Sequence, residues 1–194
     1  DLKQFKSLQD KRKLRPGLQR LLTVAPNSRT FAQAATRAVL GGDNTKYFLD
    51  AVASKESASY GEYDAYNLGG TNGGHTAHGS GNSAEDSRFG KPVSQLTIGE
   101  IKRLHASGQA HAMGRYQFIG STFLETAGRT GLPDDAVFDA KTQDLFAITR
   151  LIQRASWGNL QSGLRSEWIG LNYMSSSKYQ QLVESARTIV QENK

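Results

Sequence analysis

Glu56 closes an apolar helical stripe in which Phe48, Val52 and Glu56 recur every four residues, with Leu49 one position round. That spacing keeps the side chains on one helix face. A carboxylic acid on such a face is costly to ionise, so its pKa is expected to rise towards neutrality, which suits a general acid working near pH 7. Position alone favours an ordinary solvated charge in a last helical turn. The residues that follow favour the chemical reading. Over 58–92 the chain is rich in glycine (Gly69-Gly70, Gly73-Gly74, Gly79, Gly81), interspersed with Asn, Ser, Thr and His, with tyrosines at its start. A carboxyl group at a helix end, beside an aromatic and glycine-rich loop, suits polysaccharide cleavage. Rings stack on sugar faces, and long loops are commonly functional. The usual glycosidase places two carboxylates about the scissile bond. The nearest partners for Glu56 are Glu62, Asp64, Glu85, Asp86 and Glu100. None stands out by spacing, so a mechanism with a single carboxyl group has equal weight.

Other chemistries fit less well. Without cysteine there is no thiol nucleophile or thiolate metal site, and the chain's redox compartment is left open. His75 and His78 lie three apart in the glycine loop, with His105 and His111 further on. A zinc site needs three or four ligands on a firm scaffold, so no metal and no cofactor is expected. Ser57 lacks the strand–turn–helix setting of a hydrolase nucleophile. Gly69 to Gly74 leads into no Gly-Lys-Ser/Thr, which a phosphate loop requires.

The elements that must carry these residues read as mainly helical. Pro16-Gly17 and Pro26-Asn27 break the first helical segments, and Gly41-Gly42 marks a joint. Asp43 or Asn44 is expected to cap the helix that ends in Glu56. The loop that follows holds a short β-ribbon around Tyr60 to Tyr66. Thr97 with Glu100, and Thr122 with Glu125, have capping-box spacing. The second of these helices is expected to stop at Gly128 or Gly131. Asp139 caps the most regular helix, in which Leu145, Ile148, Leu151, Ile152 and Ala155 form one face. A shorter element runs through Trp168 and Leu171, and Lys178 to Gln191 make the final helix. No strand runs promise a large sheet, and no internal repeat is present.

A length of 194 residues gives one domain with a sizeable core and room for an extra segment. No apolar run approaches the ~18 residues of a membrane span. The chain opens Asp1-Leu2-Lys3, without methionine or a signal-like stretch, so it is expected to be mature or cut from a longer polypeptide. The net charge of +6 is uneven: residues 1–42 hold 9 Lys/Arg against 2 Asp/Glu, and residues 43–194 hold 15 against 16. The basic part could meet nucleic acid, anionic lipid or an acidic wall polymer, or be a solvated helical arm of a larger assembly. With Phe5 and Phe31 its only aromatics, and no base-reading module, specific nucleic-acid binding is not expected.

Gly114-Arg115-Tyr116-Gln117-Phe118 resembles the Gly-Arg-Tyr-Gln segment of the phage lambda-type lysozymes. The spacing from Phe48-Leu49-Asp50 to Glu56 is similar to that family's. Phe138 to Asp144 looks like its Ser/Thr-Gln-Asp helix. The resemblance covers 43–194 and leaves 1–42 outside, as a basic helical extension. It implies an α+β lysozyme-like catalytic domain, mainly α, whose glycine-rich loop or small β-ribbon lines a glycan groove. It further implies a peptidoglycan lytic transglycosylase that cuts between N-acetylmuramic acid and N-acetylglucosamine and leaves a 1,6-anhydro ring. Glu56 is then the acid and afterwards the base. Ser57, Tyr66, Asn67, Arg115, Tyr116, Gln117 and Tyr173 are expected to bind substrate, whereas Phe118 belongs to the core. Lys55 points about 100° away from Glu56 round the helix, too far to neutralise it. The expected partners are glycan strands and, through 1–42, other virion protein segments. The expected location is a phage virion or the bacterial periplasm and wall. Two alternatives stand: a hydrolytic muramidase with Asp64 or Glu62 as second carboxylate, and a non-catalytic glycan-binding virion module.

Overall fold

The helix Ala140–Ser156, α4 below, is buried almost all round. Leu145 through Leu151 are each 3% exposed or less, including the polar Thr149 and Arg150. A helix with no solvated face in its middle must be the element on which others pack. The sequence suggested a single apolar face for it. The difference arises because its polar residues are satisfied inside: Thr149 Oγ1 donates to the Leu145 carbonyl at 2.7 Å, and Arg150 pairs with Glu167.

The computed structural model describes residues 39, 42–59, 61–69, 78–79 and 88–193. The basic extension at 1–42 therefore lies, but for residues 39 and 42, outside the described residues, as does Tyr60. Six longer helices are described: α1 (Asp43–Glu56), α2 (Ile98–Ala106), α3 (Gly120–Thr130), α4, α5 (Leu160–Glu167) and α6 (Ser176–Glu192). Short 3-10 helices run over Glu62–Asp64, Val93–Gln95 and Ile169–Tyr173. α3 and α5 pack on α4, while α1 packs on α6 and on the 3-10 helix Ile169–Tyr173. The expectation of a mainly helical protein holds. Among the described residues no helix is long and apolar enough to cross a membrane.

Aromatic rings fill the centre. Phe123, Phe138 and Phe146 meet pairwise at 5.2 to 5.3 Å, and Phe118 joins Phe146 edge-on at 5.7 Å. Such pairs are each worth ~0.5–1.5 kcal/mol beyond their buried area. Phe118 is thus a core residue, 3% exposed, as expected.

Two of the capping expectations hold. Thr97 and Glu100 form the full capping box of α2, and Asp139 accepts from the Thr142 amide at 3.0 Å. Two need correction. α1 starts after Gly42 with no side-chain cap, and Asp43 sits in its first turn. α3 begins at Gly120 with Ile119 in the cap position, three residues earlier than a Thr122 cap would allow. Glu125 is drawn instead to Arg150 at 2.9 Å and to Gln153. Gly131 ends α3 in the left-handed conformation (φ 64°).

A small antiparallel sheet, unexpected in this form, lies beside the helices. Its strands are β1 (Tyr66–Asn67), β2 (His78–Gly79), β3 (Ala112–Met113) and β4 (Phe118–Ile119), in the order β2-β1-β3-β4. Tyr66 pairs with Gly79 and Met113, and Met113 with Phe118. Two-residue strands carry too little alternation to be read from sequence. Of the ribbon expected around Tyr60 to Tyr66, the described part is the 3-10 helix Glu62–Asp64 followed by β1, which pairs antiparallel with β2.

Candidate active site

Glu56 ends α1, and the packing of that helix fixes where its carboxyl group goes. Phe48 and Val52, on the same face, are wholly buried, so the stripe runs from the core to a half-buried Glu56. The Trp168 ring meets Phe48 edge-on at 5.7 Å and brings the 3-10 helix Ile169–Tyr173 against the end of α1. The Gly170 amide then donates to Glu56 Oε1 at 2.9 Å. A Cβ at position 170 would lie 2.6 Å from the Lys55 carbonyl oxygen and 2.8 Å from Glu56 Oε1, so only glycine permits the approach. Burial raises the Glu56 pKa above the ordinary carboxyl value, against the lowering effect of the Gly170 hydrogen bond.

Glu56 lines a cleft of about 540 Å³, whose walls also include Asn67, Tyr116, Gln117, Arg154 and Glu167. Lys55 contributes to the same cleft, although helix geometry turns successive side chains about 100° apart. Its charge is not among the causes of the Glu56 shift.

The hairpin turn Gly114 to Gln117, between β3 and β4, supplies one wall. Gly114 has φ 81°, and a Cβ there would stand 2.5 Å from Gln143 Oε1. Gln117 is held in the left-handed region (φ 49°) with its backbone amide and its Nε2 both donating to the Gly114 carbonyl, at 3.1 and 2.8 Å. A non-glycine residue there is strained, and such residues gather at functional sites. Gln143, fully buried on α4, braces the turn: Oε1 accepts from the Arg115 amide at 2.8 Å, and Nε2 donates to the Tyr63 and Phe138 carbonyls at 2.9 Å each.

The other residues marked in the sequence take varied places. Tyr116 is 1% exposed, and its hydroxyl donates to Asp144 Oδ1 at 2.6 Å, so its ring edges the cleft while its polar end turns inward. Arg115 is not among the cleft's described lining residues. Its Nε donates to Glu62 at 2.6 Å and its Nη2 to Asp50 at 2.7 Å, with the guanidinium 4.9 Å from the Tyr63 ring centroid. Ser57 is buried and donates to the Arg115 carbonyl at 2.7 Å, tying the end of α1 to the turn. Tyr66 is buried against Phe89, ring centroids 5.1 Å apart. Tyr173 is 80% exposed and lies outside the described lining.

Several positions of the candidate site carry no signal in local spacing. Asp144 accepts from the hydroxyls of both Tyr63 and Tyr116, and burial lifts its pKa despite those bonds. Burial and then the Asp144 charge push Tyr63 up to about 12. Gln143-Asp144 was visible as part of a motif, but not as the brace of the Gly114 turn. Glu167 is the second carboxylate of the cleft. Its side chain is 5% exposed and clamped by Arg150 at 2.7 Å and Arg154 at 2.6 Å.

Of the five carboxylates named as partners for Glu56, the three among the described residues are otherwise engaged. Glu62 pairs with Arg115, Asp64 Oδ1 accepts from the Ser94 amide at 2.8 Å, and Glu100 serves its capping box and Lys91. Glu85 and Asp86 lie outside the described residues, as does His75. Among the described residues no group of three or more His, Asp or Glu is arranged to hold a metal ion. His105 Nδ1 lies 3.2 Å from the Ala110 carbonyl, and His111 lines the cleft. The arrangement is therefore one carboxyl group of raised pKa facing open space, beside one that two guanidinium groups hold. No family model, curated protein or solved structure matches the chain.

Proposed function

We propose that the chain is a peptidoglycan lytic transglycosylase with a lysozyme-like fold, acting on the bond between N-acetylmuramic acid and N-acetylglucosamine. The observation that carries the reading is Glu56: a carboxyl group of raised pKa on a cleft wall, with one oxygen occupied and the other, among the described residues, unengaged. Because the Gly170 amide donates to Oε1, the acidic proton belongs on Oε2. From there it passes to the glycosidic oxygen as the bond to C1 breaks. The resulting carboxylate takes the proton of the muramic-acid 6-hydroxyl while that oxygen bonds to C1 and closes the anhydro ring. The proton lost in the first step is regained in the second, and no water is consumed.

The commitment of Glu62 to Arg115 and of Asp64 to Ser94 supports this reading over hydrolysis, which calls for a second carboxylate to act on water or on the sugar. Glu167 shares the cleft, but its ties to Arg150 and Arg154 suit a structural anion better than a nucleophile. The reading makes the bacterial wall the site of action, reached from the periplasm or from a phage virion, with residues 1–42 contacting other virion protein segments. Mass spectrometry of fragments released from purified peptidoglycan tests it. Anhydro-muramyl ends are expected, reducing ends would show a hydrolase, and no release would leave a glycan-binding module.

A further inference from the structure

Beside the cleft, three guanidinium groups share two carboxylates. Arg129 and Arg150 pair with Glu125 at 3.2 and 2.9 Å, and Arg150 and Arg154 pair with Glu167 at 2.7 and 2.6 Å. Arg154 is the member of the three that lines the cleft. Its Nε is spent on Glu167, which fixes the plane of the group. Its guanidinium carbon stands 5.0 Å from the ring centroid of Trp157, a residue 55% exposed. The side chain is 23% exposed, and among the described residues no acceptor meets its two terminal nitrogens.

We propose that Arg154, stacked on Trp157, is a carboxylate-binding subsite of the cleft, taking an acidic group carried by the glycan; this rests on the glycan reading of the site given above. An arginine fork presents parallel N–H donors that match the two oxygens of a carboxylate. The indole beneath it removes water from one face of the guanidinium and holds it in place. Both functions remain open here because the clamp on Glu167 uses only Nε. Neutral N-acetylglucosamine polymers carry no carboxylate. Peptidoglycan carries one either on the lactyl ether of its muramic acid or on the attached peptide stem. Arg154 thus separates wall glycan from neutral glycan.

Binding to the Glu56→Gln protein, in which turnover is blocked, tests this by calorimetry with three soluble glycans of equal length. The first bears peptide stems, the second has free lactyl carboxylates and no stems, and the third is a neutral N-acetylglucosamine oligomer. At least one acidic glycan is expected to bind about tenfold more tightly than the neutral one. Adding Arg154→Gln is expected to abolish that preference while leaving the neutral affinity in place. Preference for the second glycan assigns the lactyl carboxylate, and preference for the first assigns the stem. Trp157→Ala, which keeps the Arg154–Glu167 pair, is expected to weaken acidic binding and serves if Arg154→Gln loses its far-UV circular dichroism. Equal affinity for acidic and neutral glycans, or a preference that survives both substitutions, overturns the subsite but leaves glycan binding standing. Failure of the folded protein to bind any of the three removes the proposed function and the subsite together.

Discussion

The amide of Gly170 donates to Glu56 Oε1 at 2.9 Å, joining residues 114 positions apart in the chain. This bond chooses which carboxyl oxygen is left to carry a proton, and it restrains a pKa that burial alone would lift further. Gly170→Ala is therefore expected to act twice. Its Cβ would overlap the Lys55 carbonyl, with a stability cost of ~1–3 kcal/mol in denaturant titrations. Backing away from that overlap weakens the hydrogen bond, so the Glu56 pKa rises and the alkaline limb of the activity profile moves to higher pH. An unmoved limb would mean that the amide does not tune the acid.

Glu56→Gln keeps the acceptor for Gly170 and removes the proton donor. Lysis of purified walls should fall by ~10²–10⁴-fold, the usual contribution of a positioned acid. Stability should change in the opposite sense. The folded-state pKa of Glu56 lies above its ordinary value of 4.5, so the folded chain holds that proton more tightly than the unfolded chain does. The associated stabilisation is complete below the ordinary value and is lost as pH rises through the folded-state pKa. A glutamine never ionises. The variant should accordingly melt higher than the wild type at neutral pH and lose that advantage below about pH 4.5. A lower melting temperature at pH 7 would show that the Glu56 charge is not the burden its surroundings imply.

What could be read from the sequence was whatever is written in local spacing. The stripe Phe48–Val52–Glu56, the Thr97–Glu100 box and the Asp139 cap each lie within a few turns of one helix. The Gly114 to Gln117 segment was recognisable by its residues, but its form, a hairpin turn with two left-handed positions, depends on Gln143 of α4. Arg115 and Tyr116 show the same limit more sharply. The sequence motif points both towards substrate, but Asp50, Glu62 and Asp144 draw their polar ends into the protein. Those partners lie 28 to 65 positions away, beyond any helical or strand period. Glu125 misled for the same reason: its capping-box spacing to Thr122 is outcompeted by buried partners on α4, Arg150 and Gln153.

Gly114→Ala tests how strictly the cleft wall depends on that turn. The residue needs φ 81°, and its Cβ would meet Gln143 Oε1 at 2.5 Å. Left-handed strain and overlap together are expected to cost ~2–4 kcal/mol. Displacing Gln143 also loosens the bond to the Arg115 amide, so activity should fall more than the fraction unfolded accounts for. Denaturant titration beside wall-lysis rates checks both, and a variant with wild-type stability would show that the turn relaxes without strain.

Arg150→Met distinguishes buried from exposed electrostatics in the same fold. The Arg150 and Glu167 side chains are 4% and 5% exposed and share two hydrogen bonds of 2.7 Å. Taking a guanidinium out of a buried pair strands the carboxylate in a poor solvent, and typically costs ~3–5 kcal/mol. Arg154 still holds Glu167 Oε2, which puts the expected loss near the lower end of that range. Lys46 offers the contrast. Its pair with Asp50 is open to water, with the two side chains 78% and 43% exposed, and Asp50 keeps its bond to Arg115. Lys46→Ala should cost less than ~1 kcal/mol, and its effect should shrink in high salt. The Arg150→Met loss should persist at the same salt concentration, because bulk ions do not reach the pair. Equal losses for the two variants, or an Arg150 effect erased by salt, would mean that the network beneath the cleft wall opens to solvent.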